Sequence, residues 1–265
     1  MSSNLRVAIE ASISAGKAIM KIYDSDKIKV DFKEDKSPLT EADLASNNCI
    51  MSFLKDSVYP VISEENKLMD YHIRKKWDDY WIVDPLDGTK EFIKRNGEFT
   101  VNIALCSKGI PVLGVIYVPV ERTLYYADVP SGKAYKTVLD KNHYTDKALF
   151  EDSDRIHASA LSKNAIRVVG SRSHMNDDTL KFIEATEKDY KDVAIVSKGS
   201  SLKFCLVAEG KADVYPRFAP TMEWDTAAGH AICNAVGLKV ISRESNKELE
   251  YNKSNLLNPH FLVSN

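Results

Sequence analysis

The chain has little cysteine, and no CxxC pair occurs among its 265 residues. Its cysteines, widely spaced in apolar stretches, are Cys49, Cys106, Cys205 and Cys233. This spacing favours buried free thiols over a zinc site or a disulfide framework, and it indicates a reducing, cytoplasmic environment. Long apolar runs are also lacking, because the longest, residues 112–120, is only strand length. We therefore expect no transmembrane segment.

The chain also lacks an excess of charge of either sign. It has 36 Lys and Arg against 38 Asp and Glu, which gives a formal net charge of -2. This balance supplies no global attraction for nucleic acid, so we expect no nucleic-acid partner. Residues 5–23 place apolar side chains on one helical face, and Lys17 and Lys21 interrupt any apolar run. We predict an amphipathic helix there rather than a signal peptide or a membrane span.

The composition that remains, 44% hydrophobic and 28% charged residues, is typical of a globular protein with a large core. A polar stretch, residues 140–157, divides the chain into two unlike halves, 1–145 and 146–265. The first half predicts helices followed by an antiparallel meander of strands, and the second predicts an α/β arrangement. In the second half, strands are predicted over 166–169, 193–196, 212–215 and 238–241, and helices near 176–187, 200–209 and 225–236. The expected fold class is therefore mixed α+β and α/β.

The most informative segment is residues 84–89, DPLDGT, which directly follows an apolar run, 80–83, typical of a short buried strand. Pro85 and Gly88 are expected to turn the chain as it leaves that strand. Two aspartates three residues apart, with a backbone carbonyl between them, offer the oxygen ligands that magnesium prefers. An exposed turn whose threonine caps the next element is the alternative. The segment therefore predicts either a magnesium site or a surface turn.

Three more carboxylates strengthen the metal interpretation, although each has a plainer alternative. Glu64 follows a short apolar run, where an acidic residue is usually solvated. Asp225 opens a helix of small residues and could serve only as its N-cap. Asp43 lies three residues after Thr40, the spacing of a capping box, and could bond only backbone amides. The alternatives stay open for each residue taken alone.

Taken together, these motifs resemble the inositol monophosphatase-like superfamily of metal-dependent phosphatases, through Glu64-Glu65, residues 84–89 and residues 224–229 in that order. Two further segments, 90–102 (KEFIKRNGEFTVN) and 199–204 (GSSLKF), are similar to the bacterial CysQ-type 3'(2'),5'-bisphosphate nucleotidases. The resemblance runs almost from end to end. It implies a layered αβαβα sandwich of the sugar-phosphatase type, with the active site between the two halves.

The resemblance also implies roles for individual residues. The metal ligands implied, for about two or three Mg²⁺ ions, are Glu64, Asp84, the carbonyl oxygen of Leu86, Asp87 and Asp225. Glu64, Thr89 and Asp43 are implied as catalytic residues that orient the attacking water. The substrate-binding residues implied are Glu64, Leu86, Asp87, Gly88, Thr89, His174, Ser200, Lys203, Arg217 and Asp225.

The implied reaction is removal of the 3'-phosphate of adenosine 3',5'-bisphosphate (PAP), giving AMP and phosphate, with PAPS as a further substrate. A second phosphate needs cationic or hydroxyl groups away from the metals. His174, Ser200, Lys203 and Arg217 follow strands or open helices in the second half, where such groups are expected. The plainer alternatives are helix capping for His174 and Ser200, and solvated surface charges for Lys203 and Arg217.

Several competing functions remain to be compared. The alternatives are an inositol monophosphatase or other sugar-phosphate phosphatase, and a non-catalytic metal-binding regulator. A haloacid-dehalogenase phosphatase is disfavoured because two residues, rather than one, separate Asp84 from Asp87. Segment 199–203 lacks the GxxxxGK[ST] framework of a P-loop.

Cellular properties are implied by the resemblance alone. It implies lithium sensitivity and a role in sulfur metabolism. It also implies a cytoplasmic protein, with peripheral binding at the cytoplasmic face of the inner membrane as an alternative. No pattern of exposed apolar residues typical of an interface can be distinguished from the periodicity of the core. The sequence therefore gives no prediction of the oligomeric state.

Overall fold

The computed structural model describes residues 3–25, 29–32, 38–145, 148–170 and 176–265. The helices are α1 (Ser3–Tyr23), α2 (Glu41–Leu54), α3 (Tyr71–Arg74), α4 (Thr89–Ile93), α5 (Asp177–Asp189), α6 (Leu202–Ala208) and α7 (Glu223–Ala235). The strands are β1 (Val30–Phe32), β2 (Pro38–Thr40), β3 (Val61–Ser63), β4 (Asp79–Asp87), β5 (Thr100–Ser107), β6 (Ile110–Val118), β7 (Thr123–Asp128), β8 (Lys133–Val138), β9 (Ala165–Gly170), β10 (Asp192–Ser197), β11 (Tyr215–Arg217), β12 (Lys239–Ser242) and β13 (Phe261–Ser264).

A six-stranded sheet in the order β3-β4-β5-β6-β7-β8 lies at the centre of the described chain. Strands β4 to β8 form the predicted antiparallel meander, and β3 pairs with β4 in parallel. Successive side chains of a strand point to opposite faces. Accordingly Trp81 and Val83 join one core cluster, and Tyr80 and Ile82 join the other. The sheet is therefore buried on both faces.

Helices and a second set of strands cover those two faces. Helices α1 and α2 pack on one face, and α6 and α7 pack on the other. Beyond α6 and α7 lie the antiparallel sheet β11-β13-β12 and the parallel pair β9 and β10, with α5 packed outside them. This order of layers confirms the expected αβαβα sandwich.

Close packing of α7 on the central sheet depends on small side chains. Gly114 of β6 faces this helix, and a Cβ there would collide with the carbonyl oxygen of Ala228. Ala227, Ala228 and Ala231 are buried along the same helix. Because no large side chain separates them, α7 lies directly against β4, β5 and β6. The start of α7 is thereby placed near the end of β4.

Most predicted elements are present, with shifted boundaries. Thr40 is the N-cap of α2 as predicted, although that helix ends at Leu54 rather than near Ser57. The strand predicted over 212–215 is displaced, because Val214 forms only an isolated bridge with Val168 and β11 begins at Tyr215. In its place Asp213 turns its carboxylate to the guanidinium of Arg167, at 2.7 Å.

The expectations about cysteines and apolar segments can also be compared with the structure. All four cysteines are free thiols as predicted, and Cys106, Cys205 and Cys233 are buried. The predicted burial is wrong for Cys49, which is only half-buried. Within the part of the chain that the structure describes, no helix is long and apolar enough to cross a membrane.

Candidate metal centre and its cavity

The end of β4 contains a β-bulge that brings two carboxylates together. Asp84 pairs with Asn102 of β5 and Asp87 pairs with Thr100, so β4 has one residue more than β5 over this stretch. We predicted a turn after Val83, and this is wrong because ladder pairing continues to Asp87. The chain turns only at Gly88, whose φ of 97° lies in the left-handed region.

Three carboxylates converge beside this bulge. Asp84, Asp87 and Asp225 each offer an oxygen within 4.8 Å of the others. Asp84 is 1% exposed, and its Oδ2 has no hydrogen-bond partner among the described residues. A buried carboxylate oxygen without a donor is unfavourable unless a proton or a cation compensates it. The donor set, which contains only oxygens, fits a hard divalent cation.

The electrostatics of the site agree with this geometry. Burial raises the pKa of Asp84 well above its usual range, and the charges of Glu64, Asp87 and Asp225 raise it further. Burial likewise raises the pKa of Asp225 to about 8, with the charge of Asp87 as the next cause. These carboxylates repel one another, and a bound cation would relieve that repulsion.

Asp225 lies one turn inside α7 rather than at its cap. The N-cap is Met222, whose backbone N–H donates to Asp225 Oδ2 at 2.8 Å. The expected N-cap position of Asp225 is therefore wrong by three residues. The hydrogen bond occupies one carboxylate oxygen and fixes the direction of the other.

Glu64 directly follows β3, next to the end of β4. Its backbone N–H donates to the carbonyl oxygen of Val83 at 3.2 Å, and the residue is half-buried. Its charge raises the pKa of both Asp84 and Asp225. In the described chain, Glu64 is not one of the three carboxylates that lie within 4.8 Å of one another.

Thr89 and Asp43 are in contact, and Asp43 has two functions. The Thr89 hydroxyl donates to Asp43 Oδ1 at 3.1 Å. Asp43 Oδ2 accepts from the backbone N–H of Thr40 at 2.7 Å and from its hydroxyl at 2.6 Å. The capping role and the contact with Thr89 therefore coexist, one on each carboxylate oxygen.

Asp87 is held by the loop that precedes α6. Its Oδ2 accepts from the Ser200 hydroxyl at 2.6 Å, the Ser201 N–H at 2.7 Å and the Ser201 hydroxyl at 2.8 Å. We placed Ser200 in the first turn of the helix, and this is wrong because α6 begins at Leu202. Ser200 instead adopts a φ of 50° immediately before the helix.

A cavity of about 140 Å³ opens beside the carboxylates. Its lining includes Asp87, Asp225, Ser200, Lys203 and Arg217. The cavity therefore combines carboxylates with two cationic side chains.

The lysine that lines the cavity, Lys203, is buried rather than solvated. Lys203 is only 6% exposed, so the alternative of a solvated surface charge is wrong for it. Its ammonium donates to the carbonyl oxygen of Ser200 at 2.7 Å. Burial lowers the pKa of Lys203 to about 8, and the charge of Asp87 opposes that shift.

Not every residue singled out in the sequence can be placed, and some structural neighbours were not singled out. His174 lies outside the described residues. Thr100, Asn102 and Ser201 were not among the candidates, yet all three contact the site. The available signal was two polar side chains at alternate positions of an otherwise apolar strand, which indicates buried polar groups with partners.

Comparison with known proteins adds to this geometry. Residues 1–264 match the model of the inositol monophosphatase family. The chain is 45% identical over 255 residues, 95% of each protein, to the 3'(2'),5'-bisphosphate nucleotidase CysQ of Salmonella typhimurium. It superimposes on the crystal structure of CysQ from Bacteroides thetaiotaomicron with a TM-score of 0.87 and 49% identity, covering 99% of this chain and 97% of that one. The IMPase of Thermotoga maritima, 24% identical, shares the fold with a TM-score of 0.74 over 100% of this chain and 92% of that one.

Proposed function

The chain belongs to the inositol monophosphatase family, and we propose that it is a 3'(2'),5'-bisphosphate nucleotidase. It removes the 3'-phosphate of adenosine 3',5'-bisphosphate to give AMP and phosphate, and it also accepts PAPS. The observation that carries this proposal is the cavity that Lys203 and Arg217 line together with the carboxylates Asp87 and Asp225. A bisphosphate has a second anionic group for which these cationic side chains are suited. Relatives that bear this name support the assignment.

The cofactor we propose is Mg²⁺, with about two or three ions per site. Asp84, Asp87 and Asp225 would hold it, together with Glu64 and the Leu86 carbonyl oxygen. The partnerless, buried Asp84 Oδ2 supports this fit. Bound magnesium would supply charge neutralisation on the phosphate and would lower the pKa of the attacking water.

The residues of the chain itself position the water and its proton. Because the Thr89 hydroxyl donates its single proton to Asp43, its oxygen is left as an acceptor for a proton of the water. Glu64 provides a second acceptor at the end of β3. A water held by two acceptors is oriented with a lone pair toward phosphorus, which favours in-line attack without a phosphoenzyme.

We propose that the substrate is held in the same cavity. Ser200, Lys203 and Arg217 bind the phosphate that is not cleaved, and His174 is proposed to join them from outside the described residues. The Lys203 ammonium donates to the carbonyl oxygen of Ser200, and both residues line the cavity. We also propose that residues 1–145 carry every metal ligand except Asp225, while 146–265 carry the residues that select the substrate.

The cellular setting that we propose is the one implied by the family resemblance. The protein would act in sulfur metabolism on a small nucleotide bisphosphate, and lithium would inhibit it. Four free cysteines support a reducing, cytoplasmic location.

The test is a comparison of kcat/KM for PAP, PAPS, inositol 1-phosphate and fructose 1,6-bisphosphate at saturating Mg²⁺. We expect the nucleotides to be preferred by about tenfold or more, a difference of about 1.4 kcal/mol in transition-state binding. A preference for inositol 1-phosphate would replace the proposal by an inositol monophosphatase. Binding of Mg²⁺ with no phosphate release from any substrate would indicate a metal-binding regulator.

A further inference from the structure

Two buried polar residues of β5 are connected to the metal centre without belonging to its ligands. Thr100 and Asn102 are 0% and 1% exposed and lie between apolar neighbours that face the other core. The Thr100 hydroxyl donates to Asn102 Oδ1 at 2.9 Å and lies 2.8 Å from the Ser200 hydroxyl. Asn102 Nδ2 donates to the Ser201 hydroxyl at 2.9 Å. Both strand residues thus contact the serines that bind Asp87.

These contacts close a ring of polar groups within hydrogen-bond distance of one another, which we call the β5 ring. It runs from Asp87 through Ser200, Thr100, Asn102 and Ser201 back to Asp87. Ser200 and Thr100 carry one hydroxyl proton each, so the contacts Asp87–Ser200, Ser200–Thr100 and Thr100–Asn102 share two protons. Both arms of the ring end on the same carboxylate oxygen, Oδ2. That oxygen also accepts the Ser201 N–H, so three donor atoms lie within 2.8 Å of it. The other oxygen of Asp87, Oδ1, takes no part in the ring.

Ser201 also connects the ring to the second ligand-bearing element. Its hydroxyl lies 2.8 Å from the Asp225 carbonyl oxygen as well as 2.8 Å from Asp87 Oδ2. Asn102 donates to that hydroxyl oxygen, which leaves the single Ser201 proton for one of these two acceptors. One side chain therefore spans the end of β4 and the start of α7. It lies within hydrogen-bond distance of both Asp87 and Asp225.

We propose that Thr100 and Asn102 are positioning residues for metal binding, acting through the β5 ring to fix Asp87 relative to Asp225. The inference rests on the proposed function insofar as the carboxylates bind Mg²⁺. Outer hydrogen-bond partners of metal ligands typically contribute about 10- to 100-fold to metal affinity. Losing the ring lets the Asp87 carboxylate rotate and lets the loop before α6 move from α7. We therefore expect loss of the ring to lower the affinity for Mg²⁺ while the chain stays folded.

The experiment uses the full chain and measures Mg²⁺ binding without substrate. The variants are Thr100→Val, which replaces the hydroxyl by a methyl group of similar size, and Asn102→Ala. Two controls accompany them: Thr100→Ser keeps the hydroxyl, and Thr137→Val removes a buried hydroxyl of β8 that binds Asp154. Calorimetric titration gives the Mg²⁺ Kd, and thermal unfolding gives the rise in Tm caused by Mg²⁺.

We expect Thr100→Val and Asn102→Ala to raise the Mg²⁺ Kd by about tenfold or more. We expect Thr100→Ser and Thr137→Val to stay within about twofold of the wild type, since neither breaks the ring. Should Asn102→Ala fail to fold, Ser201→Ala breaks the same ring and enters the same titration with the same expectation. An unchanged Kd in the folded ring variants, or a Thr137→Val effect of equal size, would overturn the proposal.

The Mg²⁺ titration does not depend on which substrate the protein hydrolyses. A chain that binds Mg²⁺ with the expected variant pattern but leaves PAP intact would contradict the proposed function and support the positioning role. If the wild type hydrolyses PAP but the ring variants keep the wild-type Kd for Mg²⁺, the proposed function is supported and the positioning role is contradicted. Absence of any Mg²⁺ binding by the wild type would overturn the positioning role.

Discussion

The hydroxyl of Thr89 and the carboxylate of Asp43 are 3.1 Å apart, and they join the start of α4 to the start of α2. Asp43 uses its other oxygen for the capping box with Thr40. The capping box holds the carboxylate in place before any substrate arrives. A helix start therefore serves as the rigid support for the hydroxyl that we propose to orient the water.

Removing the Thr89 hydroxyl should reduce turnover with little effect on stability. We expect Thr89→Val to lower kcat by about 10²- to 10⁴-fold, because the water loses its acceptor. Thr89→Ser keeps the hydroxyl and should retain most of the activity. Steady-state phosphate release and thermal unfolding of both variants provide the measurement. Equal activity of the two variants would contradict the water-orienting role.

Neutralising Asp84 should have opposite effects on the metal-free and the metal-loaded protein. Burial and three neighbouring carboxylates raise its pKa, so the ionised group destabilises the metal-free fold near neutral pH. We expect Asp84→Asn to raise the Tm in a chelator by a few degrees, at about 2–4 °C per kcal/mol, and to lose the rise caused by Mg²⁺. Ser131→Ala, an exposed substitution, is the control. A metal-free variant less stable than the wild type would be evidence against this repulsion.

Lys203 should make the affinity for bisphosphates depend on pH. Its pKa is about 8, so the ammonium is charged below that pH and neutral above it. We expect kcat/KM for PAP to fall as pH rises through about 8, a profile that reports the free enzyme. In Lys203→Met the value should be lower, mainly through a higher KM, and should not decline in that range.

A monophosphate substrate provides the control for Lys203. Inositol 1-phosphate has no second phosphate, so Lys203→Met should affect its kcat/KM far less than that of PAP. Equal losses on the two substrates would mean that Lys203 does not hold the distal phosphate.

His230 should make the folded protein sensitive to acid. The residue is fully buried in α7, and burial lowers its pKa to about 4. The unfolded chain takes up this proton near pH 6.5 and the folded chain does not, so stability is lost as pH falls below about 6.5. We expect a loss of about 2 kcal/mol by about pH 5 that His230→Gln lacks. Urea unfolding of the wild type and of His230→Gln, in a chelator at about pH 6.5 and at about pH 5, measures this difference in the free energy of unfolding. Parallel losses would assign the acid sensitivity to other groups.

Local sequence signals predicted the parts of the fold that depend on local chemistry. The capping box of Thr40 and Asp43 and the apolar run 80–83 are such signals, and both the cap and the strand are present. The bulge between Asp84 and Asp87 was not predicted, because it depends on the register with β5. No pattern within residues 84–89 records that register. Strand β11 was displaced for a similar reason, since its position is set by pairing with β13 at the far end of the chain.

The candidate site was predictable in part for the same reason. Carboxylates at element ends indicated a cation, and the structure brings Asp84, Asp87 and Asp225 together. The burial of Lys203 was not predicted, because its neighbours Tyr215 and Ser200 come from other elements. Thr100 and Asn102 were overlooked since a polar residue in a strand does not reveal its partner.

The placement of the three carboxylates has a consequence for how the chain matures. More than half of the chain separates Asp84 from Asp225, and they meet only after α7 has packed on the central sheet. A partly synthesised or partly folded chain therefore offers no such cluster to a cation. The cluster can therefore bind a cation only after α7 has packed on the sheet. Proteolytic loss of α7 would remove Asp225 and so release a bound cation, even if the six-stranded sheet survived.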